Sequence, residues 1–262
     1  MNILLTNDDG IDSDGILKLA ETLRSRGKHK VTVIAPDTNR SGISHALSLF
    51  SGPVKLSRLE EDTWTCSGYP AECIIVGLKA AFLEKPDLVL SGINRGENMG
   101  TDIIYSGTAA AARQGSLLGI PSVALSLAGG DPFYWDMAAG WSADHLEELL
   151  EYWRKDTFLN VNIPNSPAGP EGILTAWPAI KAYRDTLSVM TAPDGSLFCF
   201  LVTGEEPPVN QAGSDLDVVS RNFVSLSPVY NYSAVIKDLC PEAPDFAAVA
   251  KRDVKTRGGK RE

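Results

Sequence analysis

Residues 3–10, ILLTNDDG, join a short apolar run to a pair of adjacent carboxylates, Asp8 and Asp9. Such a run is typical of a buried strand in a parallel sheet, and ligands bind just beyond the carboxyl ends of such strands. Neighbouring carboxylates repel each other unless a cation lies between them. Oxygen ligands alone favour Mg²⁺, Mn²⁺ or Ca²⁺. The pattern therefore indicates a divalent metal site, with a polar turn that closes the strand as the alternative.

Apolar runs and helical patterns alternate through the first part of the chain. The spacing predicts strands at residues 31–35, 87–90, 122–127 and 158–163, and helices at residues 16–23, 74–82, 108–118 and 146–153. Polar loops are expected at residues 37–42 and 91–96. Strands that alternate with helices predict an α/β fold with a mostly parallel sheet and helices on both faces.

The pattern changes near residue 172. Two runs at residues 187–192 and 196–202 flank Pro193-Asp194-Gly195, which predicts a β-hairpin, and residues 223–230 predict a further strand. We therefore expect an α/β catalytic core at residues 1–172, followed at residues 173–262 by a β-hairpin and C-terminal extension. One overall domain is the alternative.

Composition excludes several classes of partner. The chain has 262 residues and a formal net charge of −9, and this field disfavours a nucleic acid polymer as partner. No apolar stretch reaches the length of a membrane span, and no secretory signal is visible. The four cysteines are Cys66, Cys73, Cys199 and Cys240. They show no close metal-binding spacing, which favours reduced thiols in a cytoplasmic protein.

Two further oxygen donors follow predicted strands. Ser41 lies in the loop after the second strand, and Asn94 lies in the loop after the strand at residues 87–90. Because parallel strands bring their carboxyl ends to one edge of the sheet, these side chains are candidates for the same site as Asp8 and Asp9. A turn hydroxyl for Ser41 and an Asx turn for Asn94 are the alternatives.

A phosphate cradle is predicted where the Ala-rich helix begins. Ser106, Gly107 and Thr108 open that helix, whose free N–H groups and dipole favour an anion. Gly107 would let a phosphate approach the backbone, and Asn98 and Arg95 are possible additional donors. Ser106 or Thr108 as a simple N-cap is the alternative.

These residues carry a resemblance to a known family. The chain is similar to SurE, survival protein E, a family of metal-dependent nucleotidases and acid phosphatases. The matching stretches are residues 3–10 (ILLTNDDG), 35–42 (APDTNRSG), 91–100 (SGINRGENMG) and 105–112 (YSGTAAAA). The resemblance implies a Rossmann-like α/β fold. It also implies one divalent ion per subunit, Mg²⁺ or Mn²⁺ with Ca²⁺ able to occupy the site, held by Asp8, Asp9, Ser41 and Asn94.

The resemblance further implies an activity. Nucleoside 5′- and 3′-monophosphates would be hydrolysed to nucleoside and phosphate, with Asp8 and Asp9 as catalytic residues. Asn98, Ser106, Gly107 and Thr108 would contact the phosphate. Water is the expected nucleophile, and Asp8 acting through an aspartyl phosphate is the alternative. A non-catalytic nucleotide-binding regulator is the alternative function.

Family members are dimers or tetramers that exchange C-terminal elements, and the predicted hairpin suits this role. The chain departs from the usual family pattern at Ala109, Gln114 and Ser214, which bears on substrate preference and hairpin geometry. His45 is a candidate general acid, with an ordinary packing role as the alternative. Large aromatic residues that could stack on a base, or simply pack, are Tyr69, Phe133, Tyr134 and Trp135.

Overall fold

A nine-stranded sheet forms the centre of the computed structural model, which describes residues 1–81, 85–181, 183, 185–202, 204 and 211–232. Its strand order is β3-β4-β2-β1-β5-β6-β7-β11-β8. The strands are β1 (Asn2–Thr6), β2 (Lys30–Pro36), β3 (Leu56–Glu60), β4 (Thr63–Cys66), β5 (Leu88–Arg95), β6 (Ser122–Ala128), β7 (Thr157–Pro164), β8 (Ile173–Thr175) and β11 (Val224–Tyr230).

Most neighbouring strands of this sheet run parallel. β1 lies between β2 and β5, and β6 and β7 continue the parallel series. The exceptions are β11 against β7 and β3 against β4, which pair antiparallel. The predicted mostly parallel α/β sheet is therefore confirmed, with antiparallel pairs towards its edges as in many mixed sheets.

Helices cover both faces of the sheet. They are α1 (Asp14–Ser25), α2 (Pro70–Val76), α3 (Gly107–Leu117), α4 (Trp135–Glu151) and α5 (Asp215–Ser220). Ile3 and Leu5 of β1 pack in one apolar cluster with α1 and α4 residues, whereas Leu4 packs in another with residues of α2 and α3. This follows from the two-residue period of a strand, which sends alternate side chains to opposite faces.

Three element bounds differ from the sequence prediction. The helix predicted at residues 74–82 begins at Pro70 and passes into a π-helical turn over Gly77–Ala81, and Phe82 lies outside the described residues. α4 begins at Trp135, well before residue 146. β5 continues through the expected loop to Arg95, with a register shift against β6, because it is buried between two neighbours.

The predicted hairpin is present as β9 (Thr186–Thr191) and β10 (Leu197–Val202), which pair antiparallel in a separate sheet. Every residue of both strands is exposed. β8 and β11 hydrogen-bond into the main sheet instead. The division at residue 172 stays a prediction, and residues 233–262 of the predicted extension lie outside the described residues.

The short strands β3, β4 and β8 and the helix α5 were not predicted, because none carries a clear apolar period. In the part of the chain that the structure describes, no helix combines the length and apolarity that a bilayer crossing needs.

Candidate active site

Three elements converge on the carboxylate that follows β1. Asp8 comes directly after β1, Asn94 lies near the end of the neighbouring β5, and Thr108 lies in the first turn of α3. The hydroxyl Oγ1 of Thr108 is 2.5 Å from Oδ1 of Asp8 and 3.4 Å from Oδ1 of Asn94. The two predicted oxygen donors from different strands therefore share one neighbour, as the common sheet edge predicts.

Asp8 is nearly inaccessible, with 3% of its surface exposed. Its Oδ2 accepts a 3.0 Å hydrogen bond from the backbone N–H of Thr108, one of the unpaired donors at the start of α3. Burial raises the pKa of Asp8 to about 6, the hydrogen bond from the Thr108 hydroxyl opposes this, and the Asp9 charge adds to it. A carboxylate in this position is destabilised when ionised unless positive charge comes close to it.

Gly107 lets α3 sit directly on Asp8. A Cβ atom at this position would lie 2.7 Å from Cβ of Asp8 and 2.9 Å from its Oδ2. Real Cβ atoms do not approach other atoms so closely, so any larger residue would displace either the helix or the carboxylate. A phosphate was predicted to approach the backbone at Gly107. In the structure, the Asp8 side chain makes this close approach.

Asp9 faces the end of β5. Its Oδ2 accepts a 3.0 Å hydrogen bond from the backbone N–H of Arg95. Burial raises the pKa of Asp9, while the contacts with Arg95 and a hydrogen bond from the Ser41 hydroxyl act in the opposite direction. Ser41 is exposed in its loop, where its N–H donates to Oδ1 of Asn39 at 2.8 Å. The hydroxyl thus lies beside the second carboxylate of the pair.

Backbone and amide contacts hold the acidic turn in place. Nδ2 of Asn7 donates to the carbonyl of Gly10 at 2.8 Å and to Oγ of Ser13 at 2.7 Å. The N–H of Arg40 donates to the carbonyl of Asp8 at 2.7 Å, which ties the loop after β2 to the turn. Gly10 has φ +103°, a conformation that favours glycine. This role of Asn7 was not predicted, although Asn7 lies within residues 3–10.

The candidate phosphate residues occupy the start of α3 and the loop before it. Ser106 is the N-cap of α3, and its Oγ accepts from the N–H of Ala109 at 3.0 Å. This cap role was the stated alternative, and it leaves the hydroxyl proton of Ser106 available to a second acceptor. The N–H of Thr108 is engaged by Asp8, whereas the N–H of Gly107 begins the helix.

Asn98 is held by a row of buried polar side chains. Its Nδ2 donates to Oγ of Ser126 at 2.8 Å, and its N–H donates to Oδ1 of Asn162 at 2.8 Å. Its carbonyl accepts from Nδ2 of Asn160 at 2.8 Å. The supporting roles of Ser126, Asn160 and Asn162 were not predicted. The detectable signal was the alternation Asn160-Val161-Asn162, which sends two amides to one face of a buried strand.

His45 pairs with α3 rather than with the carboxylates. Its Nε2 is 2.9 Å from Oε1 of Gln114, which lies about 10 Å along the helix from Gly107 at the standard rise. Burial lowers the pKa of His45, and the hydrogen bond with Gln114 opposes this. The arrangement favours the packing interpretation of His45 over the general acid.

A buried carboxylate that sequence analysis missed holds the loop after Ser41. Glu72 is fully buried in α2 and accepts hydrogen bonds from the N–H groups of Ser48, Leu49 and Tyr69, at 2.6, 2.6 and 2.8 Å. The contact with Tyr69 is the glutamate half of a capping box, in which Glu72 accepts from the N–H of the N-cap residue. Because the N-cap residue is tyrosine and not serine or threonine, the sequence carries no capping-box signature. Glu72 thus fastens this loop to the start of α2.

The candidate ligand set is made of oxygen atoms alone. Among the described residues, no group of three or more His, Cys, Asp and Glu side chains is placed to hold a metal ion. Two carboxylates with the neutral oxygens of Asn94 and Ser41 form a donor set of the hard kind that Mg²⁺, Mn²⁺ and Ca²⁺ prefer. The buried, raised-pKa carboxylate of Asp8 also fits a cation, because positive charge would relieve its desolvation.

The fold defines an α/β protein with a mostly parallel sheet, and the candidate site lies beyond the carboxyl ends of its strands. The family model for survival protein SurE matches residues 3–184. The chain is 38% identical over 244 residues to the 5′-nucleotidase SurE of Geobacter sulfurreducens, covering 90% of this chain and 91% of the relative. It is 38% identical over 237 residues to the protein of the same name from Thermosipho africanus, covering 87% and 91%.

A solved structure agrees with the sequence relatives. The SurE protein from Aquifex aeolicus superposes with a TM-score of 0.80 at 36% identity, covering 93% of this chain and 98% of that chain. The chain belongs to the SurE family.

Proposed function

We propose that this chain is a metal-dependent phosphomonoesterase that hydrolyses nucleoside 5′-monophosphates, and 3′-monophosphates as well, to nucleoside and phosphate. The observation that carries the proposal is the buried Asp8 carboxylate, beside Asp9, Asn94 and the first turn of α3. Relatives over most of the chain are named 5′-nucleotidase SurE, which favours catalysis over a non-catalytic nucleotide-binding regulator.

Asp8, Asp9, Ser41 and Asn94 would hold one divalent ion, Mg²⁺ or Mn²⁺, with Ca²⁺ able to occupy the same oxygens. When bound, the ion would supply positive charge against the phosphoryl oxygens and acidify a water molecule. We propose that water, rather than Asp8, attacks phosphorus. Isolation of a phosphorylated Asp8 would contradict this assignment.

The protein groups would position the ester. The Gly107 N–H and the Ser106 hydroxyl stand at the positive end of the α3 dipole, where an anion is stabilised. Asn98, fixed by Ser126 and Asn162, would add an amide donor. The N–H and the hydroxyl of Thr108 already donate to the two carboxylate oxygens of Asp8. Thr108 would therefore contribute mainly by holding Asp8 in position. Fixed donors of this kind lower the barrier by holding the phosphate in register.

We also propose that the chain forms a dimer or tetramer through residues 173–262, with the hairpin packing on the core of a partner subunit. The support is the row of half-exposed or more exposed apolar side chains on β9 and β10: Leu187, Val189, Met190, Leu197, Phe198, Phe200, Leu201 and Val202. A cytoplasmic location is proposed from the free thiols of Cys66, Cys73 and Cys199, and Cys240 lies outside the described residues.

The test of the activity is turnover of AMP and of p-nitrophenyl phosphate by the purified protein, with EDTA and then with added Mn²⁺ or Mg²⁺. We expect EDTA to abolish turnover and the metal to restore it. Asp8→Asn should fold and lose about a hundredfold or more of the rate, because it removes charge from the reaction centre. Near-full activity of this variant, or of the EDTA-treated protein, would show the site assignment to be wrong.

A further inference from the structure

A three-layer stack stands beside the acidic pair. The guanidinium carbon of Arg95 lies 5.0 Å from the centre of the Phe133 ring. The Phe133 ring in turn stacks on Trp135, with ring centres 5.2 Å apart and planes at 16°. Arg95 is therefore the outermost layer, and its side chain remains 57% exposed.

The charge of Arg95 is already paired. Its Nη2 donates to both carboxylate oxygens of Asp131, at 2.8 and 2.9 Å. A guanidinium that a carboxylate neutralises and an aromatic ring supports offers less attraction to a phosphate than a free cation would. What it still offers to a ligand is a flat, exposed surface, and arginine planes of this kind stack on nucleobases.

The loop that carries Phe133 leads directly into Trp135, the first residue of α4, and it is held by Asn165, which follows β7. Nδ2 of Asn165 donates to the carbonyls of Gly130 and Pro132, at 2.8 and 2.9 Å, and its Oδ1 accepts from the N–H of Tyr134 at 2.9 Å. Three hydrogen bonds from one side chain hold the loop between β6 and α4. The stack is thus presented by a fixed support, which lowers the entropy cost of binding a flat ligand.

The stack is connected to the candidate reaction centre through the backbone of Arg95. The backbone N–H of Arg95 donates to Asp9, so the guanidinium plane lies one arginine side chain away from the acidic pair. In a mononucleotide, one ribose separates the phosphate from the base, a comparable span. A phosphate at the start of α3 and the acidic turn would therefore leave its base within reach of Arg95.

We propose that the outer face of Arg95, supported by Phe133 and Trp135 and neutralised by Asp131, is the stacking surface for the nucleobase of the substrate. The proposal rests on the nucleotidase function proposed above and deepens it. Stacking is tolerant of base identity, since every base has a π-face. The site would therefore favour nucleotides over sugar phosphates without selecting strongly among bases.

The test compares AMP with ribose 5-phosphate, which keeps the phosphate and the sugar and lacks the base. The measured quantity is the ratio of kcat/KM for the two substrates, in wild type, Arg95→Lys and Phe133→Leu. Arg95→Lys keeps the positive charge and loses the plane, and Phe133→Leu removes the ring beneath it. We expect either change to lower the ratio about tenfold. Arg58→Lys is the matched control, because Arg58 lies over Trp64 on the edge strands β3 and β4.

Calorimetric binding of adenosine, which has no phosphate, gives a second readout. We expect binding to the wild type that Arg95→Lys weakens about tenfold. An unchanged ratio and unchanged adenosine binding in Arg95→Lys would overturn the proposal. Equal losses for AMP and ribose 5-phosphate would also overturn it, because Arg95 would then act on the shared phosphate. A wild type that hydrolyses neither ester, but binds adenosine through Arg95, would contradict the nucleotidase function and keep the stacking surface.

Discussion

At the scale of single residues, Asp8 combines burial with two hydrogen bonds from one threonine. The donors lower the cost of ionisation, but burial outweighs them, so the pKa of Asp8 lies at about 6. Ionisation of this carboxylate is thus unfavourable in the metal-free protein, and a nearby cation would stabilise the ionised form. With the proposed ion at Asp8, this single group would connect the stability of the protein to its metal content.

A pH dependence of stability follows from that shift. The folded metal-free protein binds a proton at Asp8 up to about pH 6, and the unfolded chain releases it near pH 3.8. Stability of the metal-free protein should therefore fall as pH rises through this window, by up to about 3 kcal/mol from Asp8 alone. Asp8→Asn removes the ionisable group. In EDTA, the free energy of unfolding of the variant relative to that of the wild type should therefore rise between pH 4.5 and pH 7.5.

Urea unfolding of both proteins at the two pH values measures this difference. Saturating Mn²⁺ serves as the control, since it should reverse the order at pH 7.5 and make the wild type the more stable protein. A stability difference in EDTA that stays constant with pH would contradict the burial of an ionised Asp8.

At the scale of elements, the start of α3 rests on the turn after β1, and Gly107 makes the contact possible. Gly107→Ala would place a Cβ atom 2.7 Å from Cβ of Asp8, so the carboxylate must move. We expect Mn²⁺ affinity, measured by calorimetry, to fall about tenfold to a hundredfold, as when a group that orients a metal ligand is lost. Wild-type affinity in this variant would contradict the packing argument.

Gly140→Ala in α4 is the matched control. A Cβ atom there would meet nothing within 4 Å, so the substitution should leave Mn²⁺ affinity unchanged. It should stabilise the protein by about 1 kcal/mol, because alanine favours a helix interior over glycine.

The sequence predicted the elements that have a strong apolar period and the residues that directly follow them. β1, β2, β6 and β7 fall close to their predicted bounds, and Asp8 and Asn94 do lie at one edge. Polar contacts between residues far apart in the sequence could not be predicted from the apolar pattern. Glu72 hydrogen-bonds to the loop after Ser41, and Asn160 and Asn162 hydrogen-bond to Asn98. These contacts depend on which strands become neighbours. That order is set by the packing of the whole sheet.

At the scale of the whole molecule, one part of the surface stands apart. The hairpin of β9 and β10 forms its own sheet and exposes the side chains of both strands. Two strands alone are marginally stable in water, and an apolar surface of this kind is typical of a subunit contact. This is the physical basis of the proposed dimer or tetramer.

A charge introduced on either face of that hairpin should weaken the proposed subunit contact. Leu201 and Phe200 are 62% and 52% exposed and point to opposite faces, since they are adjacent in one strand. Leu201→Lys and Phe200→Lys should each shift the sedimentation coefficient towards that of the monomer. Leu59→Lys is the control, because Leu59 is 53% exposed in β3, outside residues 173–262. A wild type that sediments as a monomer would contradict the proposal.

The position of β11 has a consequence for biosynthesis. β11 fills the space between β7 and β8, and it is the last strand of the chain that the structure describes. While the ribosome is still translating the codons before Val224, the emerging polypeptide carries β7 with an open hydrogen-bonding edge. Such an edge invites pairing with other nascent chains. The edge of β7 is closed only when residues 224–230 have left the ribosome and paired with it.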